Sequence, residues 1–98
     1  MDGVVEGRMV HYVLQKDDSE RSEGEHRPAV IVQNWSGGTV NLQVFMDTDG
    51  KGDYNDGQVP SLLWVTSATF DNVDKHPGTW HWIERVPPEV RTENDYAD

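Results

Sequence analysis

"AVIVQNWSGGTVNLQVFM", Ala29 to Met46, decides the fold of this chain. Two runs rich in β-branched and other apolar residues, Ala29 to Trp35 and Thr39 to Met46, flank Ser36-Gly37-Gly38. Tandem glycines admit the positive φ angles of a tight hairpin turn, so the two runs pair antiparallel as neighbouring strands. In the second run Val40, Leu42, Val44 and Met46 fall on one face and Asn41, Gln43 and Phe45 on the other. That is the alternation of a sheet with one dry and one wet side, and Phe45 is the apolar residue left on the wet one.

Outward from the hairpin the same signals recur. Arg8 to Gln15 (RMVHYVLQ) reads as the first strand, and Lys16 to Arg27 (KDDSERSEGEHR) is so charged and so poor in apolar residues that it reads as an exposed loop. Pro28 suits a strand entrance, where its missing N–H does least harm. On the C-terminal side, Ser61 to Phe70 (SLLWVTSATF) and Thr79 to Val86 (TWHWIERV) complete five strands. Between them Pro77-Gly78 fits the centre of a type II turn. Helical periodicity is nearly absent.

The expected fold is therefore all-β, a five-stranded small barrel in meander order, SH3-like. An OB-like barrel is the alternative, disfavoured because no helical segment separates the third and fourth strands. The expected organisation is an N-terminal arm over 1–6, the barrel over 7–86, and an acidic flexible tail over 87–98 that begins at Pro87-Pro88.

Composition limits the partners. The chain has 98 residues, enough for one domain that buries roughly 60–65% of the surface its unfolded form exposes. A formal net charge of −10, from 18 acidic and 8 basic residues, repels phosphate backbones and anionic membranes, so neither nucleic acid nor membrane is expected as a partner. No cysteine is present, which removes disulfides and sulfur-ligated zinc and fits a reducing cytoplasm. A small domain without such staples often gains stability from a metal or from oligomerisation, and a homo-oligomer is open to this one. Neither a secretory signal nor an apolar run of ~20 residues is seen.

"DTDGKGDYNDG", Asp47 to Gly57, raises the question of calcium. Counted as an EF-hand loop, Asp47, Asp49 and Asn55 occupy ligand positions and Gly52 the turn position, but Lys51 and Gln58 stand where a ligand and a bidentate carboxylate belong. The flanking helices are missing as well. A looser oxygen cage from Asp47, Asp49, Asp53 and Asn55 remains open to calcium, while the preferred reading is a soluble, glycine-rich excursion between two strands. No other cofactor is expected.

Other chemistry is scarce. His11, His26, His76 and His81 are too dispersed in sequence to form a ligand motif, although His11 and His81 lie in strands and could meet across a sheet. Glu84 follows His81 by three residues, which in a strand places them on opposite faces. No nucleophile elbow, P-loop or dinucleotide fingerprint occurs, so an enzyme is not expected. The tryptophans are the richer signal: Trp80 and Trp82 share one face of the last strand, with His81 on the other. At least two of Trp35, Trp64, Trp80 and Trp82 are expected in the core, the rest serving as partner-binding anchors or as stacking platforms for sugar.

Across "GRMVHYVL", "RPAVIVQNW", "TVNLQVFMD", "LWVTSATFD" and above all "PGTWHWIERV", the chain resembles small, mostly uncharacterised proteins encoded by tailed bacteriophages and their prophages. Relatives carry a shorter loop after the third strand and a proline in place of Ile83. The resemblance implies a virus-encoded protein but does not itself name an activity; what fits a small, acidic, all-β, cysteine-free phage protein is a structural component of the virion, made in the host cytoplasm and resident in the particle. Its expected role is capsid decoration, bound to the major capsid protein or another virion protein. A head–tail connector component and a non-virion accessory factor that binds a host protein are the alternatives.

Overall fold

The computed structural model describes residues 2–19, 21–48 and 60–84. Five strands form in chain order: β1 (Met9–Val13), β2 (His26–Ser36), β3 (Thr39–Phe45), β4 (Leu62–Phe70) and β5 (Thr79–His81). They close into a barrel in the order β1-β2-β3-β4-β5, with no helix among the described residues. A small closed all-β barrel is what the strand pattern predicts.

The hairpin at Gly37-Gly38 forms as the glycines require, with φ of 59° and 88° at the two central positions. Positive φ at both is the twist-matching geometry of a two-residue turn. β2 and β3 then pair antiparallel from Ser36↔Thr39 to Ala29↔Val44, with register shifts between Ile31 and Gln33 and between Asn34 and Ser36. On β3, Val40, Leu42 and Val44 are fully buried and Phe45 is exposed, as the alternation demands. Their dry face joins Val10, Tyr12, Leu14, Ala29, Ile31, Ala68 and Trp80 in one core. Each large side chain enclosed there stabilises the fold by about 1.5–3 kcal/mol.

Several boundaries differ from the sequence reading. β2 starts at His26 rather than after Pro28, because Val13↔His26 and Tyr12↔Arg27 extend its ladder with β1. Leu14 and Glu25 add a further bond between their main chains, so the charged connection is a folded hairpin end. Within it Ser19 is buried and Asp18 accepts the Tyr12 hydroxyl at 2.8 Å. Val4, expected in a separate arm, lies in the core, and the Asn34 side-chain amide donates to its carbonyl.

β5 is the largest departure. It ends at His81, five residues short of the expected Val86, and its ladder with β4 is parallel, which a pure meander does not contain. Two pairs join it to β4 (Thr69↔Thr79, Phe70↔Trp80) and two antiparallel pairs join it to β1 (His11↔His81, Tyr12↔Trp80). The turn before it is the expected one: Gly78 sits at φ 89° and Thr79 N–H returns to His76 O. The barrel is thus closed by a seam only two residue pairs wide.

Candidate functional site

Inward and outward residues alternate across that seam. Tyr12 and Trp80 face each other inside the barrel, both fully buried, so His11 and His81 face each other outside it. Their rings stand 5.7 Å apart. On the next strand His26 is opposite Val13, two residues from Pro28 at the His11 level, which brings its ring to 6.3 Å from His11 and 4.7 Å from His81. Three histidines from three strands thus share one patch.

Glu84 completes it. The strand ends at His81, and the main-chain N–H of Trp82 turns aside to Asn72 Oδ1 at 3.1 Å. Beyond that point the two-residue period no longer holds, so the chain folds Glu84 back over the histidine side. This corrects the expectation that His81 and Glu84 occupy opposite faces. Glu84 Oε1 lies 2.8 Å from His11 Nδ1 and 3.0 Å from His81 Nε2, and His26 Nδ1 lies 3.3 Å from the same carboxylate. Lys75 Nζ is 3.8 Å away on the outer side. The candidate donor atoms of His11, His26, His81 and Glu84 all fall within 4.8 Å of one another.

The electrostatics are those of a crowded, partly dry site. Burial pushes the Glu84 pKa up, but contacts with His11, His81 and His26 outweigh it and bring it down to about 2. Burial pushes His81 below the usual histidine range, against the pull of Glu84 and with the help of its two histidine neighbours. The His81 ring is wholly enclosed; its Nε2 approaches Glu84 at 3.0 Å as an ion-pair contact, and neither nitrogen makes a well-formed hydrogen bond. An enclosed polar group left so costs about 1–3 kcal/mol.

A second cluster, Asp71, Asp74 and His76, is explained by its own turn. The Asp71 carboxylate accepts N–H groups of Asp74, Val73 and His76 and pairs with His76 Nδ1 at 2.9 Å. Those bonds, that of Asp74 foremost, hold its pKa at about 2.

The tryptophans divide. Trp80 is fully buried, with its ring against Phe70 at 4.7 Å, and so presents nothing to a partner. Trp82 is half-buried, edge-on to Trp80 at 5.1 Å, with the Arg8 guanidinium 4.9 Å above its ring. Trp35 and Trp64 are exposed by 59% and 49%. On the outer surface of β2, β3 and β4, Trp64 is opposite Gln43, Phe45 opposite Leu62, and Trp35 donates its indole N–H to Asn41 Oδ1 at 3.0 Å. Leu62 and Phe45 are exposed on the same wet face.

Of the calcium candidates, Asp47 is exposed at the end of β3, and Asp49, Asp53 and Asn55 lie outside the described residues. From sequence alone His26 falls in a loop and Glu84 on the face opposite His81. The parity of His11 and His81, each beside an inward aromatic, was the signal available for the rest.

Comparison with protein-family models, with curated proteins and with solved structures finds no match. No helix among the described residues is long and apolar enough to cross a membrane.

Proposed function

We propose that this protein is a non-enzymatic binding module of a tailed-phage particle, a decoration protein that docks on the major capsid protein through the outer face of β2, β3 and β4. The observation that carries the reading is that Trp35, Trp64, Phe45 and Leu62 are all exposed on the outer side of β2, β3 and β4 while a separate set of residues forms the core. A patch of a few such side chains is on the order of a few hundred Å², the scale at which exposed apolar surface on a small protein serves recognition. Tryptophan is also the residue most enriched at the energetic centre of protein interfaces.

Charge supports a protein partner over nucleic acid, since −10 on 98 residues opposes a phosphate backbone. The resemblance of the sequence to phage-encoded proteins supports the particle as the setting. A role of this kind uses a rigid face and needs no catalytic group.

The test is sedimentation of phage capsids that lack the protein after mixing with the purified chain. Stoichiometric binding is expected, with loss in Trp64→Ser and Trp35→Ser variants that melt within a few degrees of wild type. Failure of the wild-type protein to sediment with capsids refutes the decoration role and leaves the accessory factor in its place.

A further inference from the structure

We propose that His11, His26, His81 and Glu84 form a structural zinc site that clasps the seam of the barrel. Three imidazoles and one carboxylate are a tetrahedral donor set of the kind zinc takes, with bonds of about 2.0–2.2 Å. Such bonds place donors about 3.4 Å apart, and the present separations of 2.8–3.3 Å between Glu84 and the three ring nitrogens are close to that span. Calcium, by contrast, takes six to eight oxygens, and this site offers mainly nitrogen.

The competing account is a surface hydrogen-bond network in which Glu84 simply pairs with its histidine neighbours. It leaves His81 unexplained. That ring is completely enclosed with its Nε2 3.0 Å from the carboxylate, yet neither of its nitrogens makes a well-formed hydrogen bond. A metal ion among the four groups bonds the nitrogen that faces the cluster, Nε2, and separates the carboxylate from the rings. The Asp71 turn offers the contrast, because there every close approach is a formed hydrogen bond and nothing is orphaned.

Four protein ligands fill a tetrahedron, and this is the pattern of a structural rather than a catalytic centre, which keeps one position open. The location agrees. His81 is in β5, His11 in β1 and His26 in β2, while Glu84 lies in the segment that leaves β5. Zinc would tie together the strands that only two residue pairs otherwise hold at the closure. In a chain with no cysteine it would stand where a disulfide stands in other small domains. This inference does not depend on the docking reading, and either can fail alone.

The full-length protein, stripped with chelator and dialysed, is titrated with zinc chloride while heat of binding and thermal unfolding are followed. One zinc per chain and a melting temperature that climbs with zinc concentration are expected, with no comparable shift from calcium or magnesium. His11→Ala, His26→Ala and Glu84→Gln each remove a partly exposed ligand, so the fold survives, and each should weaken binding by more than the roughly 10–100-fold that loss of an outer-shell partner costs. Cobalt(II) in place of zinc should give the visible spectrum of a tetrahedral centre. The proposal is overturned if zinc leaves wild-type melting unchanged, if calcium reproduces the shift, or if binding persists undiminished in His26→Ala and Glu84→Gln.

Discussion

The indole N–H of Trp80 donates to the carbonyl of Gly38 at 2.6 Å, inside the barrel and across 42 residues of sequence. The last strand is thereby fastened to the β2–β3 turn, and the bond satisfies both of its polar groups away from water. Trp80→Phe removes the donor, leaves the Gly38 carbonyl unpartnered and opens a void beside Phe70. The expected loss is about 2–4 kcal/mol, combining an orphaned acceptor with a cavity. Urea denaturation followed by circular dichroism measures it, and a loss below about 1 kcal/mol would show that the bond contributes little net stability.

Asn41 holds the exposed face in shape. Its Oδ1 accepts both the Trp35 indole and the main-chain N–H of Ser67, a residue at φ 55° beside the irregularity in the β3–β4 ladder. Asn41→Leu should cost about 1–2 kcal/mol and also weaken capsid binding, since Trp35 loses its tether. A variant of lowered stability with wild-type sedimentation would detach Trp35 from the docking surface.

Gly78 tests the turn that delivers β5. A Cβ at this position would come within 2.8 Å of Gln15 Cδ, at a φ of 89° that side chains resist. Its N–H donates to Val13 O at 2.8 Å, so the turn cannot move away freely. Gly78→Ala is expected to lower stability by about 1–3 kcal/mol, with Gln15→Gly restoring the part due to the clash. Equal stability of Gly78→Ala and wild type would mean that the turn relaxes at no cost.

Tyr12 links stability to alkaline pH. Burial holds its phenol well above the ordinary value near 10, and its hydroxyl bonds Asp18 at 2.8 Å. Because the folded pKa is raised, the contribution is fully present below pH 10 and fades as pH rises above it, when the unfolded chain ionises and the folded one does not. Tyr12→Phe should cost about 1 kcal/mol at neutral pH yet show a shallower decline between pH 10 and 11. Parallel declines in the two proteins would refute the linkage.

Acid acts in the opposite direction at Asp71. Its folded pKa of about 2 lies below the ordinary 3.8, so its bonds to the 73–76 turn stabilise the fold above pH 4 and are lost as pH falls toward 2. Asp71→Asn should therefore flatten the acid limb of the stability curve. An unchanged limb would assign acid sensitivity to other groups.

The features legible in the sequence are local ones. Two glycines specify the β2–β3 turn, the alternation of Val40, Leu42 and Val44 specifies which face of β3 is dry, and Pro77-Gly78 specifies the entry to β5. These signals lie within a few residues of the backbone geometry they impose, and so all-β and five strands could be read from them. Phe45 was likewise legible as an outward residue. Where β5 stops was not, because nothing local distinguishes Trp82-Ile83-Glu84 from more strand; the departure follows from the bond between Trp82 and Asn72. Tertiary structure alone decided that Trp80 is enclosed while Trp35 and Trp64 are exposed, since burial depends on which sheet face the barrel closes over. It alone assembled His11, His26, His81 and Glu84, separated by as many as 73 residues. Their meeting rests on the register of two ladders and on the turn beyond His81, and register is a property of paired strands that a single strand's sequence does not contain.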